Sequence, residues 1–397
     1  MDNFTYDAVL VGGCGHVGLP LGLALAKNGM HVALQDISAD AVDSVNKGEM
    51  PFAEDGADHI LKELIGKRIF ATTNPEVVSE ASTVIVIIGT PVDEHQNPEP
   101  HKVVQTIKEL GAYFRSNQLL VLRSTIYPGT TALIEGVVDS LGLCIEVAFC
   151  PERIAEGRAM QELFELPQIV SSRTQKGFDR ASDLFRVLTG KIVRLTPEEA
   201  ELAKLFTNTW RYIKFATANQ LFMMAENFGL DYETIRKGVS EDYPRAADLP
   251  SAGFAAGPCL LKDTLQLAAF NNNEFFLGQA AINVNEGLPY FIVSRLARKY
   301  KLDALKIGIL GMAFKGESDD TRSSLAYKLK RVLRYRAAEV FTTDPYVRGD
   351  RDLLPLEEVL ENSDLLIIGS PHVIYRELET ATPIVDVWGL RGPKSGL

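Results

Sequence analysis

The segment GFAAGPCLLKDT (253–264) places one cysteine, Cys259, among small residues and just before Lys262 and Asp263. A cysteine nucleophile needs thiolate character and a path by which its substrate can approach. The preceding Gly257 leaves room for a substrate, and Lys262, three residues on, would favour the thiolate if it lay within one turn. A lone cysteine is more often a buried small hydrophobe, so this segment taken alone favours a structural thiol.

A glycine-rich turn near the amino terminus indicates a dinucleotide site. Residues 13–18 have the pattern G-x-G-x-x-G, between an expected strand (6–13) and an expected helix (17–29). The first glycine permits a tight turn, the second lets the backbone approach a pyrophosphate, and the third lets the helix pack closely on the strand. Asp36, 18 residues past Gly18, can accept hydrogen bonds from both adenosine ribose hydroxyls and repels a 2′-phosphate, which favours NAD over NADP. The plainer alternative is a strand–turn–helix that holds no ligand.

A dinucleotide site together with a reactive cysteine suggests oxidation through a thiohemiacetal and then a thioester that water cleaves. This chemistry needs a base for the alcohol, donors that stabilise an oxyanion, and a carboxylate that activates water. The candidate residues are Glu152 and Glu156 in CPERIAEGRA, Lys204 and Asn208 at i, i+4 on one helix face, and Asp263. For Lys204, a solvated lysine on a helix surface is the alternative.

Two further loops follow apolar strands and therefore lie at strand carboxyl ends, where ligands bind in doubly wound sheets. They are GTP, with Thr90 and Pro91, and RSTIYPGTT (123–131), with Ser124 and Thr125. We expect another part of the ligand site here. Turn formation before the Pro-Gly pair is the alternative role of the two hydroxyls in the second loop.

The elements around these residues alternate between strand and helix. Apolar, β-branched runs predict strands at 6–13, 30–37, 82–91, 119–126 and 144–152. Helical periodicity lies between them at 17–29, 101–115 and 129–141. This alternation predicts a parallel sheet with helices on both faces, which is an α/β, doubly wound, Rossmann-like domain spanning residues 1–195.

From residue 196 the pattern becomes helical. The stretch 196–230 predicts a long central helix, with Thr196 as its N-cap and Pro197 at its first position. We interpret residues 196–299 as a helical middle domain that contains the cysteine loop. Alternation then resumes, with strands expected at 305–314, 338–345, 363–371 and 382–389 and a helix at 323–336. This predicts a second, smaller Rossmann-like domain over residues 300–397.

Bulk composition excludes several classes of function. A length of 397 residues suggests about two to three domains. The net charge of −11 argues against a nucleic-acid partner, and no apolar run is long enough to span a membrane. The amino terminus enters a strand without a basic region, so we expect no signal peptide and a cytoplasmic location. The 4 cysteines form no CxxC pair and the 6 histidines no HExxH pattern, so we expect neither a disulfide framework nor a metal site.

The three cysteines other than Cys259 are expected to have structural roles only. Cys144 and Cys150 occur in apolar, strand-like surroundings and are expected to be buried structural thiols. Cys14 lies in the glycine-rich turn, where it needs only to be small.

The order and spacing of many motifs resemble one family, the nucleotide-sugar 6-dehydrogenases of the UDP-glucose/GDP-mannose dehydrogenase type. The resemblance covers nearly the whole chain. The matching motifs are GGCGHVGLPLGLALA, NKGEMPFAEDG, IIGTPVD, RSTIYPGTT, CPERIAEGRA, AELAKLFTNTWRYIKFATANQL, GFAAGPCLLKD, INVNEGLP, ILGMAFKGESDDTRSS and TTDPYV. It implies a four-electron oxidation of a sugar C6 alcohol to a carboxylate with two NAD, through a cysteine thiohemiacetal and thioester.

The resemblance also implies catalytic roles. Cys259 is similar to the family's nucleophile, and Lys204 and Asn208 to the pair that stabilises the oxyanion or alkoxide. Asp263 resembles the residue that holds or deprotonates water. Glu152 resembles the residue tied to thioester hydrolysis.

Further assignments follow from the same resemblance. Thr125 is similar to a water-positioning hydroxyl, the final α/β domain to a UDP-binding domain, and the long helix to a homodimer core. The residues expected at the cofactor are Gly13, Gly15, His16, Val17, Gly18, Asp36, Thr90, Pro91, Thr125, Glu156 and Arg322. The residues expected at the substrate are Glu152, Arg153, Ile154, Glu156, Lys204, Asn208, Arg245, Phe254, Gly257, Phe314 and Lys315. No metal is implied.

Departures from the family pattern leave the sugar open. An asparagine–glutamate pair of the long helix is Asn219-Gln220 here, and the cysteine follows Ala255-Ala256-Gly257-Pro258 rather than a glycine pair. PERIAEG combines a form that resembles the N-acetylmannosamine-type enzymes with an ending nearer to the glucose-type enzymes. The substrate expected is UDP-glucose or a UDP-N-acetylhexosamine. In the family an arginine of this loop reaches a neighbouring subunit's substrate, and whether Arg245 aligns with that arginine is open.

Two rival hypotheses remain at this point. One is a two-electron dehydrogenase of the 3-hydroxyacid type, which pairs a Rossmann domain with a helical domain and needs no cysteine. The other is a catalytically inactive nucleotide-sugar-binding protein. The number of NADH molecules formed per substrate separates them from the four-electron enzyme.

Overall fold

The chain divides after Phe206 into two units in the computed structural model, Met1–Phe206 and Thr207–Leu397. The structure describes residues 4–90, 92–93, 98–99 and 101–397. Pro91, one of the residues expected at the cofactor, lies outside them. In the part of the chain that is described, no helix combines the length and apolarity needed to cross a membrane.

The first unit is built on an eight-stranded sheet. Its strands are β1 (Tyr6–Val11), β2 (Val32–Gln35), β3 (Ile69–Thr72), β4 (Ala81–Val86), β5 (Leu119–Leu122), β6 (Glu146–Phe149), β7 (Gln168–Ser172) and β8 (Ile192–Leu195). Their order is β3-β2-β1-β4-β5-β6-β7-β8. Neighbours are parallel except β6 and β7, which pair antiparallel. From β1 the chain first adds strands on one side of the sheet, β2 and β3, and then on the other side, starting with β4. Ligands are therefore expected at the carboxyl ends of β1 and β4, where this change occurs.

Helices cover both faces of this sheet. They are α1 (Gly18–Lys27), α2 (Ala39–Asn46), α3 (Ala57–Leu64), α4 (His101–Leu110), α5 (Thr130–Ser140), α6 (Ala159–Glu165) and α7 (Gln175–Arg186). Successive β1 residues point to opposite faces, so Leu10 joins one hydrophobic core and Val9 joins the other. The apolar strands are buried on both sides, which confirms the predicted doubly wound architecture.

The long helix α8 (Pro197–Asn227) begins in the first unit and ends in the second. Its start has the predicted N-cap, because the Thr196 hydroxyl accepts from the Glu199 amide at 3.4 Å and the Glu199 carboxylate accepts from the Thr196 amide at 2.8 Å. This reciprocal pair is a capping box.

The second unit continues with helices and ends with a small sheet. The helices are α9 (Tyr232–Ser240), α10 (Leu260–Phe270), α11 (Phe276–Lys299), α12 (Leu325–Arg334) and α13 (Leu356–Asn362). The strands β9 (Lys306–Leu310), β10 (Glu339–Thr343), β11 (Leu365–Ile368) and β12 (Ile384–Val385) form a parallel sheet in the order β10-β9-β11-β12. Phe222 of α8 and Ile292 of α11 share one hydrophobic core with Ile309 of β9.

Several features were not expected from the sequence. Strands β3, β7 and β8 fall in segments for which no strand was predicted. Cys144 is exposed, because it lies two residues before β6 rather than within the strand, so the prediction that it is buried was wrong. Cys150 is buried as predicted, and burial raises the pKa of its thiol to about 12, with Arg123 acting in the opposite direction.

Candidate functional site

The glycine-rich turn connects β1 to α1 with almost no space for side chains. Gly12 has a φ of +78°, and a Cβ there would lie 2.1 Å from the carbonyl oxygen of Ile87. A Cβ on Gly18 would lie 2.5 Å from the carbonyl oxygen of Gly12. The left-handed residue that makes the turn is therefore Gly12, one position before the predicted motif. No side chain caps the first turn of α1, where the Leu19 amide donates to the Gly15 carbonyl at 3.0 Å and the Leu21 amide to the Val17 carbonyl at 3.3 Å.

Asp36 follows β2 and faces this turn. Its Oδ2 accepts from the amide of Cys14 at 3.0 Å and its Oδ1 from the amide of Ser38 at 3.1 Å. The next residue, Ile37, is 95% exposed and offers an apolar surface beside the carboxylate. A groove of about 1220 Å³ runs along this edge and is lined by the glycine turn, Asp36, Ile37 and α4. These features fit the adenosine and pyrophosphate of NAD.

Two side chains within the turn have defined roles. The ring of His16 stacks on Phe52 with centroids 4.1 Å apart. The Cys14 thiol is buried, and burial together with the Asp36 charge raises its pKa to about 12. Cys14 is therefore a small packing residue, as predicted, and not a nucleophile.

The loops that follow β4 and β5 are joined by hydroxyl groups. Ser124 Oγ lies 2.8 Å from both the amide and the carbonyl of Ile88. Thr90 Oγ1 donates to the carbonyl of Thr125 at 2.7 Å. Ser124 thus joins the two loops, which is a different role from the turn formation before the Pro-Gly pair, and the backbone of Thr125 is fixed beside Thr90.

A buried ion pair holds the loop that carries Glu152. Arg123 is 1% exposed, and its guanidinium pairs with the Glu152 carboxylate and donates to the side chain of Gln168 and the carbonyl of Cys150, both at 3.0 Å. The other oxygen of Glu152 accepts from the amides of Arg153 at 2.6 Å and Ile154 at 3.0 Å. Sequence reasoning missed Arg123, although it begins the motif RSTIYPGTT.

Two buried glutamates, also missed from the sequence, cap the helices next to these loops. Glu54 accepts from the amides of Gly157 at 2.8 Å and Ala159 at 2.7 Å, at the start of α6. Glu201, one turn before Lys204 on α8, accepts from the amides of Gly129 at 2.6 Å and Thr131 at 2.8 Å, at the start of α5. A carboxylate at a helix amino end satisfies free N–H groups and the helix dipole. Both loops are thereby tied to distant parts of the chain.

Lys204 itself is 9% exposed, so a solvated surface lysine is excluded for it. Glu156, half-buried, lies in the loop that Glu54 holds through the amide of Gly157.

In the second unit, Cys259 is the residue that precedes α10, and it is exposed. Asp263, one turn further on, is fully buried. Its Oδ2 accepts from the amide nitrogen of Asn208 at 2.5 Å, and its Oδ1 lies 2.7 Å from the ammonium of Lys262. The structure therefore places Asn208, Asp263 and Lys262 in one polar array next to the turn that bears the thiol. Lys262 is anchored on Asp263, which was not anticipated.

The loop before Cys259 is fixed by an asparagine of α8. Asn219 donates to the carbonyl of Gly253 at 3.0 Å and accepts from its amide at 2.9 Å. Its amide also donates to Asn285 of α11 at 2.9 Å. Both asparagines are fully buried. Asn219 had been noted only as part of a departure from the family pattern, and its role depends on partners far away in the sequence.

The remaining substrate-site candidates of this unit lie in several places. Phe254 and Gly257 belong to the buried part of the cysteine loop. The Lys315 ammonium lies 5.8 Å from the ring centroid of Phe314. Arg322 forms a bidentate pair with Asp320, with Nε 2.9 Å from Oδ2. Arg245 lies in the exposed segment after α9 and donates to the Tyr243 hydroxyl at 3.2 Å.

Asp344 directly follows β10 of the second sheet, in the same way that Asp36 directly follows β2 of the first sheet. Its carboxylate accepts from the amides of Met312 at 2.6 Å and Ala313 at 3.0 Å, and it lies 3.1 Å from Nε2 of His372. Burial alone would raise the pKa of Asp344, but hydrogen bonding and charge from His372 and the two amides lower it to about 2. Neither residue was identified from the sequence as functional.

Comparison with known proteins covers almost the whole chain. Three sequence profiles of the UDP-glucose/GDP-mannose dehydrogenase family match in order: its NAD binding domain over residues 7–189, its central domain over 198–287 and its UDP binding domain over 308–390. The chain is 30% identical over 384 residues to a UDP-N-acetyl-D-mannosamine dehydrogenase of Pyrococcus horikoshii, covering 93% of this chain and 90% of the relative.

Solved structures agree with the sequence relatives. The structure of the UDP-D-ManNAc dehydrogenase from Pyrococcus horikoshii has a TM-score of 0.87 at 29% identity and covers 94% of this chain and 91% of that one. A UDP-glucose dehydrogenase from Pyrobaculum islandicum has a TM-score of 0.88 at 25% identity and covers 97% and 95%. With all three domain profiles matched in order, the chain belongs to the UDP-glucose/GDP-mannose dehydrogenase family.

Proposed function

We propose that this NAD-dependent nucleotide-sugar dehydrogenase oxidises the C6 alcohol of a UDP-sugar to the uronate, in two oxidations joined by covalent catalysis at Cys259. The observation that carries the proposal is the exposed Cys259 thiol at the start of α10, next to the buried Asn208–Asp263–Lys262 array. A buried carboxylate held by an amide and an ammonium is an expensive arrangement for a merely structural helix start. Beside a thiol it is a preorganised polar site.

Each residue would act as follows. The glycine turn and Asp36 would hold NAD, and two successive NAD molecules would supply the acceptors for the two hydrides that leave C6. The alcohol loses its proton and one hydride to give an aldehyde, with Lys204 and Asn208 stabilising the developing alkoxide. The Cys259 sulfur then bonds to the aldehyde carbon, giving a thiohemiacetal that loses the second hydride to become a thioester.

Hydrolysis completes the reaction. Water adds to the thioester carbon, the C–S bond breaks, and the thiolate of Cys259 leaves as the carboxylate forms. We assign Asp263 to the holding or deprotonation of this water, with Thr125 and Glu152 assisting. The ion pair with Arg123 holds the Glu152 carboxylate in place beside this chemistry.

The sugar we infer first is N-acetyl-D-mannosamine. Two relatives of this chain, one from Pyrococcus horikoshii at 30% identity and one from Salmonella typhi at 27%, are both UDP-N-acetyl-D-mannosamine dehydrogenases. UDP-glucose is the second candidate, because the solved structure from Pyrobaculum islandicum is a UDP-glucose dehydrogenase.

The test is a panel of nucleotide sugars with NADH counted against sugar consumed. We expect two NADH per UDP-sugar and a uronate as product, with UDP-N-acetyl-D-mannosamine oxidised fastest. One NADH per substrate with an aldehyde or ketone as product would establish the two-electron alternative. Nucleotide-sugar binding without any NADH would establish the inactive binding protein.

We also propose a homodimer formed through α8. The second unit's part of this helix carries large apolar side chains on its surface, Phe228 directly after the helix is 82% exposed, and α11 begins with two more. These residues are Trp210, Leu221, Met224, Phe228, Phe276 and Leu277. Exposed apolar groups gathered on neighbouring elements are typical of protein interfaces. Light scattering is expected to give twice the chain mass of 43.7 kDa, and Met224→Glu with Phe228→Glu to give the single chain mass. A wild-type protein of single chain mass would refute the dimer.

The cytoplasm is the compartment we propose. None of the four cysteines, all of which the structure describes, is in a disulfide, and Cys144 and Cys259 are exposed. Exposed thiols persist in a reducing compartment. Cell fractionation with an antibody to the chain tests this location.

A further inference from the structure

The loop before Cys259 rests directly on two aromatic rings of the C-terminal α/β part of the same unit. Gly253 has a φ of +147°, and a Cβ there would lie 2.2 Å from the indole of Trp388. Gly257 has a φ of +101°, and a Cβ there would lie 2.7 Å from the ring of Phe314. Backbone and rings are in contact with no intervening side chain. The position of either ring therefore helps to set the path of the loop.

The N–H group of the Trp388 indole contacts the edge of the second sheet where ligands are expected. Its indole Nε1 donates to the carbonyl of Ile368 at 3.2 Å, and Ile368 is the last residue of β11. The carboxyl ends of parallel strands are where such sheets bind ligands. The UDP-binding profile of the family spans residues 308–390, which include β11 and Trp388. The indole thus connects the edge expected to hold UDP with the loop that leads to the thiol.

The loop is also held by side-chain amides. Asn219 bonds both the amide and the carbonyl of Gly253 and is itself held by Asn285. On the aromatic side Phe254 meets Trp388 edge to face, with centroids 5.9 Å apart and planes at 78°. A shift at the end of β11 would therefore reach the loop through the indole, because the indole contacts both Ile368 and the backbone of Gly253.

We propose that Trp388 is a positioning residue that transmits UDP occupancy of the second unit to the Cys259 thiol. The inference rests on the proposed function for the identity of the nucleotide and of the nucleophile. It adds that binding of the nucleotide part of the substrate, before any sugar chemistry, alters the reactivity of the thiol. Trp388 need not touch the reacting atoms for this.

The experiment measures the alkylation rate of Cys259 by iodoacetamide, with and without saturating UDP. A Cys144→Ala background leaves Cys259 as the single exposed cysteine. UDP is expected to change the rate by about fivefold or more in this background. With Trp388→Leu the change should fall below about twofold, and Trp388→Phe, which keeps a ring but loses the N–H donor, should retain at most about half of it. Tyr335→Leu, a change at an exposed aromatic side chain of the same unit, should retain the full change.

Separate readouts keep the interpretation unambiguous. Calorimetry establishes UDP saturation in each variant, and near-ultraviolet circular dichroism establishes folding. The coupling is refuted if UDP has no effect in the parent, or if a folded Trp388 variant retains the full effect, because UDP would then shield the thiol directly. If Trp388→Leu does not fold, Trp388→Phe decides by the same criterion. A UDP effect that depends on Trp388 in a chain that oxidises no UDP-sugar would refute the proposed function and leave the coupling intact.

Discussion

Cys259→Ala is expected to abolish uronate formation, with kcat lowered by at least about a thousandfold. The reason is that the aldehyde formed in the first oxidation then has no thiol to hold it, and no thioester can form. The variant should still bind UDP and NAD, because both ligands are assigned to other parts of the chain. A slow release of aldehyde with one NADH per sugar is the residual activity expected. The measurement is uronate and NADH by time course at saturating substrate.

Cys144→Ala is the matched control, since Cys144 is the other exposed cysteine and lies before β6 in the first unit. It should leave kcat within about twofold of the wild-type value. Prior incubation with iodoacetamide should inactivate the wild type and the Cys144→Ala variant alike. Uronate formed by Cys259→Ala at an undiminished rate would show that the covalent scheme is wrong.

Asp36 follows β2 and Asp344 follows β10, which are equivalent positions in the two sheets, but the two carboxylates have different roles. Asp36 lies beside an exposed isoleucine and a large groove, with lone pairs left for a ribose. The Asp344 side chain is fully buried and contacts His372. It also accepts from four backbone amides, which are those of Met312, Ala313, Tyr346 and Val347. A carboxylate used in this way cannot accept from ribose hydroxyls. The second sheet therefore does not bind a dinucleotide in the manner of the first.

Features with local causes could be predicted from the sequence. The glycine turn, the N-cap at Thr196 and the helix from 197 each depend on residues within a few positions of one another. Strands β3, β7 and β8 could not, because they are four or five residues long and carry polar or charged residues such as Arg194. Short strands gain their stability from neighbours in the sheet rather than from their own pattern.

Supporting residues of the site were missed for a related reason. Arg123 and Gln168 are 45 positions apart, and Asn219 and Asn285 are 66 positions apart. An arginine after a strand or an asparagine within a helix has many possible partners, and the fold selects one of them. The sequence motif and the family resemblance both supplied Glu152 as a candidate, but neither supplied the buried arginine that pairs with it.

Arg123→Met is expected to lower the free energy of unfolding of the chain by about 3–5 kcal/mol. The guanidinium is 1% exposed, and its removal leaves the Glu152 carboxylate buried without its cation and the Gln168 side chain and Cys150 carbonyl without a donor. An unpaired buried charge is costly because neither water nor a counter-ion replaces the lost partner. Urea titration followed by far-ultraviolet circular dichroism measures the loss.

Arg173→Met provides the matched comparison, because Arg173 also pairs with glutamates, Glu135 and Glu198, but is 46% exposed. Exposed pairs are screened by water, so we expect a loss of no more than about 1 kcal/mol. Adding Glu152→Gln to Arg123→Met should recover part of the larger loss, since a neutral amide needs no counter-ion while its oxygen can still accept from Arg153 and Ile154. Equal losses for the two arginines, or no recovery in the double variant, would mean that the size of the arginine side chain rather than its charge stabilises the loop. The recovery is therefore what identifies the ion pair as the element that holds Glu152 in place.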